Sequence, residues 1–187
     1  MKKCLSILCI ILIIIACVIV FRNYSIISKI NAKSNEYSNI EVYSYKIHNL
    51  KPSESSSEIY RKNNILLLVD NDNSILYDKD NNETIIKDLQ NNEITKKEGT
   101  GLTNKMPLAF QGNLSVGDKL KIVFNLKIQT EKVNGKECYI FKDGNQTTYV
   151  YKDTYLIAKV KDNNLDIEYL DWQINPNLDK IIEQYSN

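Results

Sequence analysis

Histidine and cysteine are scarce in this 187-residue chain, and their scarcity excludes several kinds of site. His48 is its one histidine. Of the four cysteines, Cys4, Cys9 and Cys17 lie near the N-terminus, which leaves Cys138 alone in the rest of the chain. One Cys and one His cannot assemble a metal site, and a lone Cys cannot form an intradomain disulfide. We therefore predict no bound metal, and we expect Cys138 to be a small buried core residue.

The chain also lacks an excess of charge of either sign and the usual signatures of catalysis. Its 24 basic and 23 acidic side chains are spread along the sequence, so nucleic acid is a poor partner. There is no Walker loop, no GxGxxG after a strand and no CxxC pair. Carboxylates can act as general acids and bases, but most of those here fall in turns, where solvated charge is the ordinary explanation. We expect no enzyme, no catalytic residues and no cofactor.

What the chain does have is one long apolar run. Lys2 and Lys3 precede the segment from Cys4 to Phe21, in which Ser6 is the only strongly polar side chain. As a helix, such a run spans about 27 Å, close to the roughly 30 Å hydrocarbon core of a bilayer. The two lysines would stay in the cytoplasm and place the bulk of the chain outside.

Three interpretations of this segment are open. An uncleaved signal anchor fits because Val18 to Phe21 continue the apolar run straight to Arg22. A lipoprotein fits because Ile14-Ile15-Ala16-Cys17 matches the apolar-x-small-Cys pattern, which would place a lipid on Cys17. A cleaved signal peptide would need a shorter apolar core and a small-residue cleavage site. The first two both tether the domain, and we adopt the signal anchor.

One domain is expected after the anchor. We predict a cytoplasmic tip and transmembrane signal anchor in residues 1–24, and an extracytoplasmic β domain in residues 25–187. About 160 residues are enough for a single core. The apolar spacing from Ser25 to Tyr37 predicts a helix, and the alternation from Ile40 to His48 predicts a strand. Lys51 to Ser57 is predicted to be a loop.

Hairpin signals fill the rest of the domain. Predicted strands flank Asn63-Asn64 and Asp80-Asn81-Asn82, which suit tight turns. Residues 90–112 show no clear period and are predicted to form a long surface loop. Residues 114–128 are ambiguous, and we predict a short helix capped by Ser115 that runs into a strand. The clearest strands come last and are joined by turns such as Asn134-Gly135. A closing helical turn is predicted after them, at Leu178 to Tyr185. The predicted strands are Lys127 to Val133, Lys136 to Lys142, Gln146 to Lys152, Leu156 to Lys161 and Leu165 to Ile174.

Four stretches carry a resemblance to a known family. They are Glu58-Ile-Tyr-Arg-Lys-Asn-Asn-Ile-Leu, Ser74-Ile-Leu-Tyr-Asp, Asn134-Gly-Lys-Glu-Cys-Tyr-Ile-Phe and Thr148-Tyr-Val-Tyr-Lys-Asp-Thr-Tyr-Leu-Ile-Ala-Lys-Val. In this order the chain resembles the LolA-like lipoprotein-carrier superfamily, which also includes periplasmic regulators of the RseB type. The resemblance covers roughly residues 25 to 180. The family's basic residue near the second strand has an approximate counterpart in Arg61.

The resemblance implies a mainly β (α+β) fold. An N-terminal transmembrane helix would lead into a curved antiparallel sheet, an incomplete β-barrel with one or two helices lidding its concave side. Family members accept acyl chains in the apolar cavity there. On this chain the residues expected to line that cavity are Tyr43, Tyr45, Leu66, Leu68, Tyr139 and Phe141.

The predicted function follows from the anchor and the cavity together. A tethered domain cannot shuttle across a periplasm, so lipoprotein transport is not implied. We predict a single-pass protein of the cell membrane whose extracytoplasmic domain binds a lipid, an acyl chain or a lipoprotein, or senses the state of the envelope. The alternative is a protein-interaction module with a filled core, which would contact its partner through a sheet edge or through residues 90–112.

Overall fold

A computed structural model of the protein describes residues 2–99, 105–125 and 128–186. The described part contains three helices and eleven strands, which confirms the mainly β fold. The helices are α1 (Lys2–Ser38), α2 (Val116–Asn125) and α3 (Asp179–Ser186). The strands are β1 (Val42–Lys51), β2 (Ser55–Lys62), β3 (Ile65–Val69), β4 (Asn73–Asp78), β5 (Glu83–Asp88), β6 (Ile94–Glu98), β7 (Gln129–Val133), β8 (Lys136–Asp143), β9 (Gln146–Tyr151), β10 (Ile157–Lys161) and β11 (Asp166–Ile174).

The strands form one open antiparallel sheet in the order β6-β5-β4-β3-β2-β1-β11-β10-β9-β8-β7. Strands that follow one another in the chain are neighbours, except that β6 and β7 are the two edges and β1 pairs with β11 at the centre. The predicted meander is therefore confirmed. Its turns show why it forms: Asn134 and Gly135 both have positive φ, 50° and 76°, as a type I′ hairpin turn requires, and Asn63 has a φ of 53° between β2 and β3.

Helix α1 is continuous, but its two halves have different surroundings. The side chains from Ile7 to Arg22 are exposed, apart from the half-buried Val20. Further along, Ile27 and Ile30 are fully buried against the sheet and α2. The apolar segment and the helix predicted at residues 25–37 are thus one element. Among the described residues, α1 is the one helix long and apolar enough to cross a bilayer, which fits a membrane anchor or a signal sequence.

Two predicted loops are wrong in part. The loop predicted at residues 90–112 contains the edge strand β6, whose side chains are all exposed. Because none of them is buried, no apolar alternation marks the strand in the sequence, and its pairing with β5 is what forms it. The loop predicted at residues 51–57 is shorter, because β1 runs to Lys51 and β2 begins at Ser55. Residues 100–104 of the longer loop lie outside the described residues.

Within the ambiguous stretch at residues 114–128 the predicted helix is present as α2, and the strand that follows it begins after the stretch. The Ser115 hydroxyl oxygen accepts a hydrogen bond from the backbone N–H of Asp118 (3.1 Å), and the Asp118 carboxylate accepts one from the backbone N–H of Ser115 (3.2 Å). This reciprocal pair is a capping box, and it fixes the start of α2. Strand β7 begins at Gln129. Residue 127, where that strand was predicted to begin, lies outside the described residues.

Different helices cover the two faces of the sheet. We call them the α1 face and the α3 face. Under α1 and α2, the α1 face buries Ile27, Ile30, Val123, Phe141 and Val150. At the centre of the sheet, the same face carries a second cluster that includes Tyr43, Tyr45, Ile59 and Leu66. The α3 face packs strands β3 to β5 against the C-terminal helix through Leu67, Leu76, Ile85, Leu178 and Ile182.

Candidate functional site

The residues predicted to line a cavity lie on the α1 face, in two separate groups. The first group, in the central cluster, is Tyr43, Tyr45, Leu66 and Leu68. Tyr139 and Phe141 form the second group, under α1 and α2. Tyr43 lines a pocket at the end of α1, Tyr139 lines a groove beside α1, and Phe141 lines a smaller hollow of about 190 Å³. Tyr45, Leu66 and Leu68 line none of these three concavities. The structure therefore brings each group together in a cluster, but it does not bring the six residues to one cavity.

Stacked aromatic rings fill the centre of the α1 face. The Tyr45 ring stacks on Trp172 with 4.4 Å between centroids, and the Tyr43 ring lies 6.1 Å from Tyr45. A β-bulge aims Trp172 at this face, because Asp171 and Trp172 together oppose Tyr45 across the β1–β11 pair. Asp171 has a φ of 51°, which accommodates the extra residue. The stack connects Trp172 through Tyr45 to Tyr43, which borders a pocket.

A pocket of about 480 Å³ opens between the C-terminal end of α1, strands β1 and β2, and the segment that precedes α2. This volume falls within the roughly 300–1,000 Å³ range of small-molecule sites. Its apolar wall comes from Ile40, Tyr43, Met106 and Leu108. We call it the Tyr43 pocket, and its lining residues are Ser38, Asn39, Ile40, Glu41, Tyr43, Arg61, Lys105, Met106, Leu108, Gln111 and Gly112.

Cations outnumber anions in the Tyr43 pocket. Its lining includes Arg61 and Lys105, against a single carboxylate from Glu41. The Arg61 guanidinium carbon lies 6.0 Å from the centroid of the Tyr43 ring. Burial raises the pKa of Tyr43, and a hydrogen bond between the Tyr43 side chain and Arg61 opposes that rise. An apolar wall beside net positive charge suits an amphiphile with an anionic head.

A buried amide holds one wall of the Tyr43 pocket in place. The Asn31 side chain on α1 donates a hydrogen bond to the carbonyl oxygen of Gly112 (2.8 Å) and accepts one from the backbone N–H of Leu114 (3.2 Å). One helical turn later, Asn35 bonds to the side chain of Asn113. These contacts fasten the segment before α2 to α1. The position of that wall therefore depends on the helix.

A second concavity, of about 780 Å³, runs beside α1 where the helix leaves the sheet. Apolar side chains of α1 form one end of it, and Arg22 and Lys29 lie about one and three turns beyond Val18 on the same helix. Strands β7 to β9 and their flanks form the other side. We call it the α1 groove, and its lining residues are Cys17, Val18, Phe21, Arg22, Ser25, Ile26, Lys29, Ile128, Thr130, Tyr139 and Lys152.

Side chains with reactive chemistry lie apart from one another. Cys138 is fully buried, and burial raises the pKa of its thiol to about 11, which confirms the predicted core role. The His48 imidazole lies 3.4 Å from the Glu54 carboxylate, at the far end of β1 from the Tyr43 pocket. Within the described residues, no group of His, Cys, Asp or Glu is arranged to hold a metal ion. Cys17 is exposed on α1, and its lipidation stays a prediction.

Sequence reasoning missed most residues of both concavities. Lys105, Met106 and Leu108 fall in the stretch predicted as a surface loop, where the apolar run from Met106 to Phe110 was a signal of burial. Lys29 and Lys152 are far apart in the chain and meet only because the β8–β9 hairpin folds beside α1. No local pattern marks such a pair.

No family model and no curated protein matches the chain. Solved structures do match it. An uncharacterized conserved protein from Thermus thermophilus is 7% identical with a TM-score of 0.47, over 86% of this chain and 92% of that one. A DUF1329 family protein from Desulfovibrio piger is 14% identical with a TM-score of 0.36, over 89% and 98%. A domain described as an outer membrane lipoprotein-sorting protein, from Vibrio parahaemolyticus, is 11% identical with a TM-score of 0.32, over 82% and 94%.

Proposed function

We propose that this chain is a membrane-anchored extracytoplasmic domain that binds an amphiphile with an anionic head, a lipid or an acyl-bearing molecule, in the Tyr43 pocket. The observation that carries the proposal is the continuity of α1. One helix supplies an exposed apolar segment of bilayer length at its N-terminal end and a wall of the Tyr43 pocket at its other end. In this proposal the anchor and the binding site share one continuous helix.

Membrane anchoring accounts for the exposed half of α1. A run of large exposed apolar side chains from Ile7 to Phe21 would be costly in water. Inserted in a bilayer, they would be buried in lipid, with every backbone group bonded within the helix. Lys2 and Lys3 would mark the cytoplasmic side. The rise of α1 from Arg22 to Ser38 then places the Tyr43 pocket about 24 Å along the helix axis, outside the bilayer.

Amphiphile binding accounts for the chemistry of the Tyr43 pocket. In this proposal the open sheet is an incomplete β-barrel, and α1 with the segment before α2 is the lid on its concave side. An acyl chain would contact Met106 and Leu108, and an anionic head would lie near Arg61 and Lys105. Hydrogen bonds to charged groups contribute about 1.5–3 kcal/mol, enough to separate an acid from its neutral analogue.

The test is a titration of the full chain in phosphatidylcholine nanodiscs with dodecanoate and with dodecanol. Trp172 is the reporter, because Tyr45 links it to Tyr43 and its indole N–H donates to the Ile157 carbonyl (2.9 Å). Empty nanodiscs correct for partitioning into lipid. We expect saturable binding of dodecanoate and weaker binding of dodecanol. A response that rises without saturation, as in empty discs, would refute the proposal.

Two variants separate the apolar wall from the charge. Leu108→Phe should fill part of the pocket and weaken both ligands at least tenfold, whereas Leu120→Phe on α2, which does not line the pocket, should change neither. Arg61→Gln should weaken dodecanoate about ten- to hundredfold and leave dodecanol unchanged. Equal weakening of both ligands by Arg61→Gln would mean that Arg61 only supports the structure.

One observation favours the rival function, a protein-interaction module. All side chains of the edge strand β6 are exposed, and Ile94 exposes 47% of its surface. An uncovered edge is a template for a strand from a partner. Under this rival, Ile94→Lys would abolish copurification of a protein partner, while amphiphile titrations of the wild-type chain would show no saturable site.

A further inference from the structure

We infer that the α1 groove binds the headgroup of an anionic phospholipid from the leaflet at which α1 leaves the membrane. This inference rests on the membrane anchoring proposed above. It does not rest on the Tyr43 pocket, which lies at the C-terminal end of α1, away from the groove. It gives the domain a second lipid contact, made with the bilayer itself.

The order of side chains along the α1 groove matches the order of parts in a phospholipid. Val18 and Phe21 lie within the apolar segment, and Arg22 begins the polar part of the helix. Lys29 lies about 16 Å above Val18 along the axis, at about 1.5 Å per residue. With the apolar segment in the bilayer, the lower end of the groove would contact acyl chains. Arg22 would lie in the headgroup layer, and Lys29 would lie about 10 Å further out along the axis, from where its side chain would extend toward the headgroups.

The charge of the α1 groove is complementary to an anionic head. Arg22 and Lys29 are exposed, and neither takes part in a salt bridge within the part of the chain that the structure describes. Lys152 approaches from the sheet and lies 5.3 Å from the Tyr139 ring centroid. Its ammonium also pairs with Glu137 at 3.0 Å, so one carboxylate, outside the lining, partly neutralises it. Three cations facing one carboxylate leave a net positive groove.

Tyr139 fits the same placement. Tyr and Trp are enriched where protein meets the headgroup layer, because an apolar ring and a polar tip suit that boundary. The Tyr139 ring is half-buried beside the cation of Lys152. Basic residues at this depth attract anionic lipid, each raising its affinity about fivefold. A free phosphate would use only the cationic end of the groove, whereas a phospholipid fills both ends.

The experiment measures phospholipid binding to the full chain in dodecyl maltoside by native mass spectrometry. The probes are dioleoyl phosphatidylglycerol, dioleoyl phosphatidylcholine and glycerol 1-phosphate. We expect one phosphatidylglycerol to bind at a much lower lipid concentration than phosphatidylcholine does. Glycerol 1-phosphate should bind far more weakly than phosphatidylglycerol. The variant Arg22→Gln/Lys29→Gln should lose about thirtyfold in affinity for phosphatidylglycerol, the equivalent of about 2 kcal/mol.

The matched control is Lys97→Gln/Lys180→Gln, which removes the same charge from β6 and α3, outside the groove. It should bind phosphatidylglycerol as the wild type does. Equal binding of the two phospholipids, equal binding of glycerol 1-phosphate, or equal losses in both double variants would overturn the inference. Extraction of native membranes with alkaline carbonate tests the membrane anchor independently. Release of the chain would refute the anchor. Retention of the chain together with unselective lipid binding would refute only the headgroup site.

Discussion

The α1 face and the α3 face belong to the same strands, yet they are covered by different helices and carry different chemistry. Both concavities open on the α1 face, beside a helix that is continuous with the apolar segment. The α3 face carries cross-strand ion pairs, such as Lys46 with Glu58 at 2.9 Å and Lys159 with Asp166 at 2.8 Å. A helix of eight residues, α3, covers its strands β3 to β5.

The two faces should therefore contribute unequally to the stability of the fold and to ligand binding. Burial of apolar side chains is the main stabilising term in folding, and ion pairs exposed to the degree of Lys46–Glu58 contribute little. The packed half of α1 should therefore contribute much more than α3 or the exposed ion pairs do. Substitutions on the α1 face should also alter ligand binding, whereas those on the α3 face should not. Four substitutions, ordered by expected effect, test this contrast.

The largest effect is expected from Ile30→Ala in the packed half of α1. Ile30 is fully buried between the sheet and α2, so the substitution leaves a cavity and should lower the free energy of unfolding by about 3–4 kcal/mol. The matched control is Ile14→Ala in the exposed half, where the side chain is 57% exposed. It should leave the stability of the domain unchanged. Urea denaturation in detergent, followed by Trp172 fluorescence, measures both, and equal losses would contradict the division of α1 into two halves.

The next effect concerns the tie between α1 and the pocket wall. Asn31→Leu removes a buried hydrogen-bond donor and acceptor at once and leaves the Leu114 N–H without its acceptor. The free energy of unfolding should fall by about 2 kcal/mol. Hydrogen exchange of the Leu114 amide should accelerate, and dodecanoate should bind more weakly. Asn35→Leu, at a less buried position one turn later, is the control and should do less of each. Unchanged exchange at Leu114 would mean that Asn31 does not hold the wall.

A smaller effect is expected from Ile182→Ala on the α3 face. Ile182 is buried in the cluster with Leu76 and Leu178, but α3 lies at the end of the chain and can detach without unfolding the sheet. The free energy of unfolding should fall by about 1–2 kcal/mol, below the loss at Ile30. Exchange of the α3 amides should rise before that of the strands. A loss as large as that of Ile30→Ala would break the contrast between the two faces.

How far the sequence predicted this fold depends on how local each signal is. The β8–β9 and β7–β8 hairpins could be predicted, because a turn such as Asn134-Gly135 and the alternation on either side lie within a few residues. The edge strand β6 could not, because its exposed side chains have no period. In the sequence, the bulge at Asp171 is marked only by the adjacent apolar residues Tyr169 and Leu170, which interrupt the apolar alternation. An irregular strand end would interrupt it in the same way, so the bulge could not be predicted. Yet that bulge decides that Trp172 faces Tyr45.

The candidate site was predictable only where one strand supplies it. The family resemblance predicts Tyr43 at a cavity, and Tyr43 does border a pocket. Lys105 and Met106 reach the same pocket from a segment more than forty residues away from Arg61 in the chain. Contacts of this kind depend on how α1 and the segment before α2 pack. A single sequence contains no pattern for them.

The smallest effect is a pH dependence on the α3 face. Tyr60 donates a hydrogen bond to the Glu58 carboxylate and Lys46 pairs with it, so the pKa of Glu58 lies below its ordinary value in the folded chain. The unfolded chain therefore takes up this proton at a higher pH than the folded chain does. The stabilisation is fully present above the unfolded pKa of about 4.3, and it is lost as pH falls through the folded pKa.

Glu58→Gln should abolish this part of the acid sensitivity. Because the Lys46 and Glu58 side chains are 45% and 34% exposed, we expect wild type and variant to differ by under about 1 kcal/mol near neutral pH. The difference should vanish once Glu58 is protonated in both states. Urea denaturation at about pH 7 and about pH 3 measures it, with Glu98→Gln on the exposed strand β6 as the control. Two results would contradict this prediction. One is a variant whose stability has the wild-type pH profile. The other is a loss of unfolding free energy in Glu58→Gln as large as that in Ile30→Ala, because a pair this exposed should contribute only a minor, electrostatic share of the stability.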